Sequence, residues 1–362
     1  MMQSLETCSP VPFVLSLSKG AGAALAWFDK LTTNGGGEGG TRMLARFIAL
    51  AALLAAAPAA AQQAVPIPCE RACMEDLAGK FLDALAARDS ARLPLAPNAR
   101  YTENGQAMGF DNGLWQTASK VGAYRHVIAD PASGQLGLFS TLDENGRGLT
   151  LGTRIRLENG LVSEVELVTY RTGSGPAWND AGYAQLEEMK APRALWTDIV
   201  PPARRKSRQE LAQIADHYFE GIERNDGKGY YPFTDDCDRL ENGTYTTNRA
   251  GLIRMGDVDI GGMGCKAQFS TGLYGVVTEV HDRRFPVIDE ERQAVFAFGV
   301  FDHCGCRPEL TMPDGRVVRI AGFNRPSSIL LAEAFSIQGD LIQQVEAVGT
   351  SVPYHSDPGW TR

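Results

Sequence analysis

The chain has 362 residues, with 35 basic and 43 acidic side chains and a formal net charge of −8. That acidic balance, with no basic stripe or long basic amphipathic stretch, excludes a nucleic-acid surface and argues against membrane docking. The length is enough for two domains, each with its own core.

Met43 opens a secretory-signal pattern: Arg46 in a short basic start, an apolar stretch over 47–57, and Ala59-Ala60-Ala61 before Gln62. The apolar run is too short for a stable membrane anchor. Residues 1–42 end in a Gly-rich segment and would bury that signal inside the chain, so they are read as a mis-called start or a disordered tail, with 43–61 as the signal peptide. Without residues 1–61 the chain keeps 31 basic and 40 acidic residues and six cysteines. An even number of cysteines in an oxidising compartment predicts disulfides. The expected pairs are Cys69 with Cys73, Cys237 with Cys265, and Cys304 with Cys306, although spacing alone leaves other pairings open. His303-Cys304-Gly305-Cys306 looks like half a zinc site without a second ligand pair, so no metal and no cofactor are expected. A periplasmic or secreted protein follows.

A helix is predicted from about Arg71 to Arg88, where Ala72, Leu77, Phe81, Leu82 and Leu85 recur at helical spacing. Arg100–Glu103, Gln135–Leu142, Leu149–Leu157 and Leu161–Tyr170 read as strands. Asn145-Gly146 and Asn159-Gly160 mark tight hairpins between the last three. Residues 176–206 read as a linker, with a turn or two of helix at Tyr183–Met189. The second domain opens with Ser207 as N-cap and Glu210 completing a capping box. Its strands are Ala294–Phe301, Ser328–Ile337 and Leu341–Val348. An insert over 303–323, with a turn at Pro313-Asp314-Gly315, has no counterpart in the first copy and is a candidate lid. The domains span 62–175 and 207–352, followed by a tail over 353–362.

The two halves repeat each other. Lys80–Ser90 leads through Arg100-Tyr101-Thr102-Glu103-Asn104-Gly105 in the first copy, and His217–Gly227 leads through Asp238-Arg239-Leu240-Glu241-Asn242-Gly243 in the second. Val127-Ile128-Ala129-Asp130 is echoed by Pro286-Val287-Ile288-Asp289, and Leu161–Glu166 by Leu341–Glu346. A helix followed by a bent antiparallel sheet resembles the nuclear-transport-factor-two-like (SnoaL-like) cone fold, an α+β class, here as two tandem NTF2-like domains. Tyr101-Thr102-Glu103-Asn104-Gly105, Gly113-Leu114-Trp115, Tyr124-Arg125-His126, Ala129-Asp130-Pro131 and the CxxxC pair resemble a domain of unknown function found in secreted bacterial and fungal proteins. The cone-fold resemblance implies cofactor-independent acid/base chemistry by a lyase, dehydratase or isomerase on a small apolar or aromatic molecule. A formaldehyde-releasing lyase on lignin-derived aromatic dimers is the most concrete member of that class. The rival is a secreted ligand-binding or scaffold protein without catalysis. Expected partners are a small-molecule ligand or substrate and, among proteins, a second copy of the chain.

Tyr101 and Glu103 are two apart on a strand and face the same side, as do Arg239 and Glu241. In an apolar hollow a phenol and a carboxylate serve as acid and base, whereas the plainer account has both glutamates accepting hydrogen bonds from turn amides. His126, four residues before Asp130, is the candidate general base, and a satisfied structural histidine is the alternative. Trp115 is a candidate aromatic wall. Arg154 and Glu166 are candidates to orient a substrate or to form a buried pair. Arg239, Arg283 and Arg284 near Glu241 read as an anion site or as internal salt bridges. Asp302-His303 opens the insert, with His303 a candidate substrate contact, and His217 is read as packing. No serine elbow, phosphate loop, dinucleotide fingerprint or HExxH motif occurs.

Overall fold

The computed structural model describes residues 69–360. The expected signal peptide and the segment before it lie outside the described residues. Helix α1 (Arg71–Ala86) buries Met74, Leu77, Phe81, Leu82 and Leu85 along one stripe. It is followed by β1 (Leu95–Glu103), β2 (Gln106–Met108), the short α2 (Leu114–Thr117), β3 (Ala118–Asp130), β4 (Gln135–Glu144), β5 (Arg147–Glu158) and β6 (Leu161–Arg171). The connector contains α3 (Gly182–Met189). Helix α4 (Arg208–Glu223) starts at the expected capping box of Ser207 and Glu210. Then come β7 (Phe233–Glu241), β8 (Thr244–Tyr245), β9 (Arg254–Met255), β10 (Val258–Asp259), α5 (Cys265–Phe269), β11 (Glu279–Asp289), β12 (Ala294–His303), β13 (Glu309–Thr311), β14 (Val317–Arg319), β15 (Ser327–Gln338) and β16 (Leu341–Val352).

The strands form two six-stranded sheets, ordered β2-β1-β6-β5-β4-β3 and β8-β7-β16-β15-β12-β11. The same strand order in both is the structural form of the sequence repeat. Each sheet is mixed, correcting the antiparallel expectation: β1 runs parallel to β6 and β7 parallel to β16. A hairpin forces antiparallel pairing, but β1 and β6 are joined through the whole sheet, so turn signals leave their relative direction open. Strands β3 and β11 were not expected. Both carry register shifts, between Val121 and Arg125 and between His281 and Val287, and such bulges bend a strand while breaking its alternation.

One face of each sheet packs on a helix, α1 through Leu82 and Phe81 and α4 through Phe219 and Leu211. The other faces meet each other over Tyr124, Ile128, Phe139, Phe296, Phe298, Leu330 and Ala332. Gly137 makes that approach close, since a Cβ there would lie 2.4 Å from the Phe296 ring. The connector is more than a tether, because Leu186 and Trp196 are buried in this shared core. Disulfides join Cys69 to Cys73, Cys237 to Cys265 and Cys304 to Cys306, with Cα separations of 5.2, 5.7 and 5.1 Å. The insert forms the β13–β14 hairpin around Asp314 and Gly315, whose φ of 86° suits glycine.

Candidate functional site

The repeated Glu-Asn-Gly owes its recurrence to the Asn-Gly part. Asn104 and Asn242 both take φ near 50° at a hairpin corner. The side chain of Asn104 accepts from the Thr169 amide and that of Asn242 from the Gly349 amide, the same place on the last long strand. The glutamates diverge. Glu103 is buried and accepts from the Leu114 amide and the Tyr101 hydroxyl, both at 2.9 Å, while Arg171 holds its other oxygen. Burial and the Glu103 charge push the Tyr101 phenol well above its ordinary range. Trp115, Phe81 and Phe110 fill the rest of this first hollow, so Trp115 is a core wall.

His126 is not beside Tyr101 and Glu103. It lies on the opposite face of the sheet, buried against Trp196 (ring centroids 4.6 Å apart), with Nδ1 2.7 Å from Glu346 of the other sheet. Tyr124 donates to the same carboxylate. Asp130 is not its partner either: it takes a two-pronged bond from Arg208 at the start of α4 and accepts from the Ile288 amide. Burial pulls the Asp130 carboxyl upward, but those bonds outweigh it and hold the group below its usual range.

These contacts are half of a reciprocal set. Strand register makes Arg284 the counterpart of His126, since they sit opposite Phe298 and Phe139, respectively, and Glu166 the counterpart of Glu346. Arg284 reaches across to Glu166 at 2.5 Å as His126 reaches to Glu346. Likewise Arg71 at the start of α1 grips Asp289, mirroring Arg208 and Asp130. Arg154 bonds Glu166 and Glu164 in the same layer. His126, Asp130, Glu166 and Arg284 therefore fasten the two sheets together, with Arg154 bracing Glu166 from within the first sheet. Arg283 ties β11 to Asp216 and Glu223 on α4. His303 is buried and stacked on Phe323 at 4.3 Å, and burial pushes its imidazole down to about 4. His217, read as packing, is instead half exposed and paired with Glu220.

The second hollow differs. Arg239 and Glu241 from β7 form an ion pair whose carboxylate end is partly exposed, and Arg239 also donates to Gln268 of α5 and to Tyr274. Behind them lie Tyr218 of α4 and Glu333 of β15, both buried. Glu333 Oε2, Tyr218 Oη and Arg239 Nε are among the buried atoms without a well-formed hydrogen bond, as are Trp115 Nε1 and Thr153 Oγ1 of the first copy. Burying a carboxyl beside a guanidinium and two phenols is costly, which makes this cluster the candidate site of the second domain. Burial pushes the Glu333 carboxyl up to about 8, against the pull of Arg239 and the Tyr218 hydroxyl. At neutral pH it is a neutral acid beside a guanidinium and two phenols. The Leu273–Val276 turn places Tyr274 in the hollow, and its Gly275, with the preceding Gly272, in the wall of an open cleft of about 580 Å³ bordered by Lys228, Arg307 and the β13–β14 hairpin. Sequence reasoning found Arg239 and Glu241 and missed Glu333. Its signal was a lone charge in the apolar run Ile329-Leu330-Leu331-Ala332-Glu333-Ala334-Phe335.

A family model described as a domain of unknown function, DUF8021, matches residues 69–169 and 204–349. The chain belongs to the DUF8021 family. Among curated proteins, none matches the sequence. Solved structures similar to parts of this DUF8021 chain include a de novo designed protein with a curved β-sheet (15% identity, 28% of this chain and 88% of that chain, TM-score 0.24). A second is an NTF2-like protein of unknown function from Cytophaga hutchinsonii (15% identity, 27% and 88%, TM-score 0.22). A third is a ketosteroid isomerase candidate from Kribbella flavida (21% identity, 28% and 80%, TM-score 0.23). No helix among the described residues of the DUF8021 chain is long and apolar enough to cross a membrane.

Proposed function

We propose that the protein works in an exported, oxidising compartment as two tandem NTF2-like cones, over 62–175 and 207–352, of which the second carries a cofactor-independent acid/base site. The observation behind this is the buried carboxyl of Glu333, pushed up to about 8 beside Arg239 and the Tyr218 hydroxyl, at a place where the first copy has the uncharged Thr153. Glu333, neutral at pH 7, donates a proton. Arg239, steadied by Glu241, Gln268 and Tyr274, holds the negative charge that develops on the substrate oxygen, and Tyr218 supplies a second donor. The aromatic lining of Phe233, Phe269 and Tyr274 suits a small, largely apolar or aromatic molecule bearing a carbonyl or hydroxyl group. The reaction class is a lyase, dehydratase or isomerase.

The test is turnover of a panel of small aromatic carbonyl and hydroxyl compounds, including lignin-derived dimers, with chelator present. Glu333→Gln should reduce turnover by about 10²- to 10⁴-fold while leaving His126→Gln active in proportion to its folded fraction. Equal activity in wild type and Glu333→Gln would remove the catalytic assignment. A binding role without catalysis is the second reading, favoured by the closed first hollow, where Glu103 already has all its partners. Saturable binding without turnover, abolished by Arg239→Met, would select it.

A further inference from the structure

We propose that His281, Asp302 and His355, with Glu279 at the rim, form a binding site for a divalent cation of the zinc class. The residues come from β11, the end of β12 and the tail that follows β16, spacings of 21 and 53 residues that no sequence motif would join. Asp302 is fully buried, His281 is largely buried, and His355 is open to solvent. Nε2 of His281 lies 3.3 Å from one Asp302 oxygen, and Nδ1 of His355 lies 2.7 Å from the other. One ligand atom from each of the three residues can be chosen so that all lie within 4.8 Å of one another. Ligands at zinc bond lengths of about 2.0–2.1 Å in a tetrahedron stand roughly 3.3 Å apart, so small side-chain shifts seat an ion. Glu279, 3.9 Å from His355 Nδ1, offers a fourth ligand at the solvent side.

The surrounding contacts orient these groups as ligands. Asp282 lies 2.8 Å from Nδ1 of His281; an Nδ1–H donated to it would leave Nε2 as the ligand lone pair, the carboxylate–histidine arrangement common behind metal-bound imidazoles. That lone pair would face the Asp302 carboxylate, a repulsive pairing that a cation between them turns into an attraction. Ser328 donates to Asp302 and accepts from the His355 amide, which pins the carboxylate and the tail together. The two imidazole centroids are only 4.6 Å apart, an approach suited to sharing one ion. Asp302 alternates with Phe301, which belongs to the helix-side core, so the site lies on the face of the sheet opposite Glu333 and is separate from the acid/base hollow. Beyond His355 the tail reaches the first sheet, where the Trp360 indole donates to Thr102 and lies under the Arg100 and Arg154 guanidiniums. The ion fastens the start of this strap.

The test is a Zn²⁺ titration of the whole chain, disulfides intact, against a chromophoric chelator, with Co²⁺ absorption reporting ligand geometry. One Zn²⁺ per chain is expected. His355→Gln changes an exposed side chain and should keep the fold while weakening Zn²⁺ by more than about 100-fold. Asp282→Asn should weaken it by about 10- to 100-fold through the lost orienting bond. Zn²⁺ should also slow chymotrypsin cleavage at Tyr354 in the wild type and not in His355→Gln. Absence of stoichiometric binding at tens of micromolar Zn²⁺, on the order of a weak surface histidine pair, or equal binding by wild type, His281→Gln and His355→Gln, overturns the site.

Discussion

Replacing Glu333 with glutamine keeps the side chain's size and removes the ionisation that burial opposes. The Glu333 carboxyl sits at about 8 against its ordinary 4.5. Below the ordinary value both folded and unfolded chains hold the proton, and the contribution of this group to stability is fully present. As pH rises from there, the unfolded chain releases the proton while the folded chain retains it, so stability falls until the folded carboxyl also ionises, and then levels off. Each pH unit inside the window is worth about 1.4 kcal/mol, which sets a ceiling of about 5 kcal/mol for the whole window and about 3 kcal/mol for a partly relaxed site. Urea unfolding of wild type and Glu333→Gln at several pH values between about 5 and 8 isolates this term, because all other titrating groups are common to both. The variant should gain on the wild type steadily across that range, by about 3 kcal/mol in total. Parallel stability curves would refute the account of Glu333 as a neutral acid at pH 7, and the proton-donor role would fall with it.

Arg208→Met leaves the buried Asp130 with only its amide and Ser133 partners, and should cost about 2–3 kcal/mol in chemical unfolding, with Arg71→Met costing a similar amount through Asp289. Because Arg208 helps hold the Asp130 carboxyl below its usual range, its stabilisation is present above about pH 4 and lost as pH falls, so Arg208→Met should show a shallower acid limb. His126→Gln should lower stability by about 1–3 kcal/mol and leave specific activity per folded molecule unchanged, measured by thermal unfolding beside turnover. Gly137→Ala forces a methyl into the Phe296 ring and should cost about 1–3 kcal/mol, whereas Gly146→Ala, with open space around it, should cost about 1 kcal/mol or less, arising from its backbone angle. Removing the Cys237–Cys265 bridge as the double serine variant should cost about 2–5 kcal/mol and eliminate most of the difference between oxidised and reduced melting curves.

Local signals were readable in the chain because local physics controls them. The helix stripes, the Ser207–Glu210 capping box and the Asn-Gly hairpins all depend on residues near one another, and the even cysteine count pointed to disulfides without fixing their pairing. The bulged β3 and β11 escaped because each mixes charged residues with apolar ones across a register shift, which destroys the period-two pattern. The parallel pairing of β1 with β6 escaped because nothing near either strand encodes it. The expected grouping of His126 with Asp130, Tyr101 and Glu103 did not form, for a related reason. His126 and Asp130 carry residue types suited to catalysis, and their spacing of four suggested partnership, yet on a strand the intervening twist and the neighbouring sheet decide which carboxylate each one meets.

The repeat itself supplied the discriminating information once register was known. Where the two copies keep a reciprocal pair in equivalent places, as in Arg208 with Asp130 and Arg71 with Asp289, the pair is explained by the meeting of the two sheets. Where the copies diverge at equivalent places, the divergence separates their roles: Tyr101 and Glu103 in the first hollow bond each other and the Leu114 amide, while in the second Arg239 pairs with Glu241 in front of a buried carboxyl, Glu333. Thr153 of β5 occupies the place that Glu333 holds in β15, by the pairing of Thr153 with Leu167 and of Glu333 with Ala347. A duplicated fold that had no use for a buried acid would keep the uncharged residue in both copies, because burying a carboxyl there destabilises the fold. The buried acid at 333 alone is therefore the strongest reason to propose the chemistry in the second hollow.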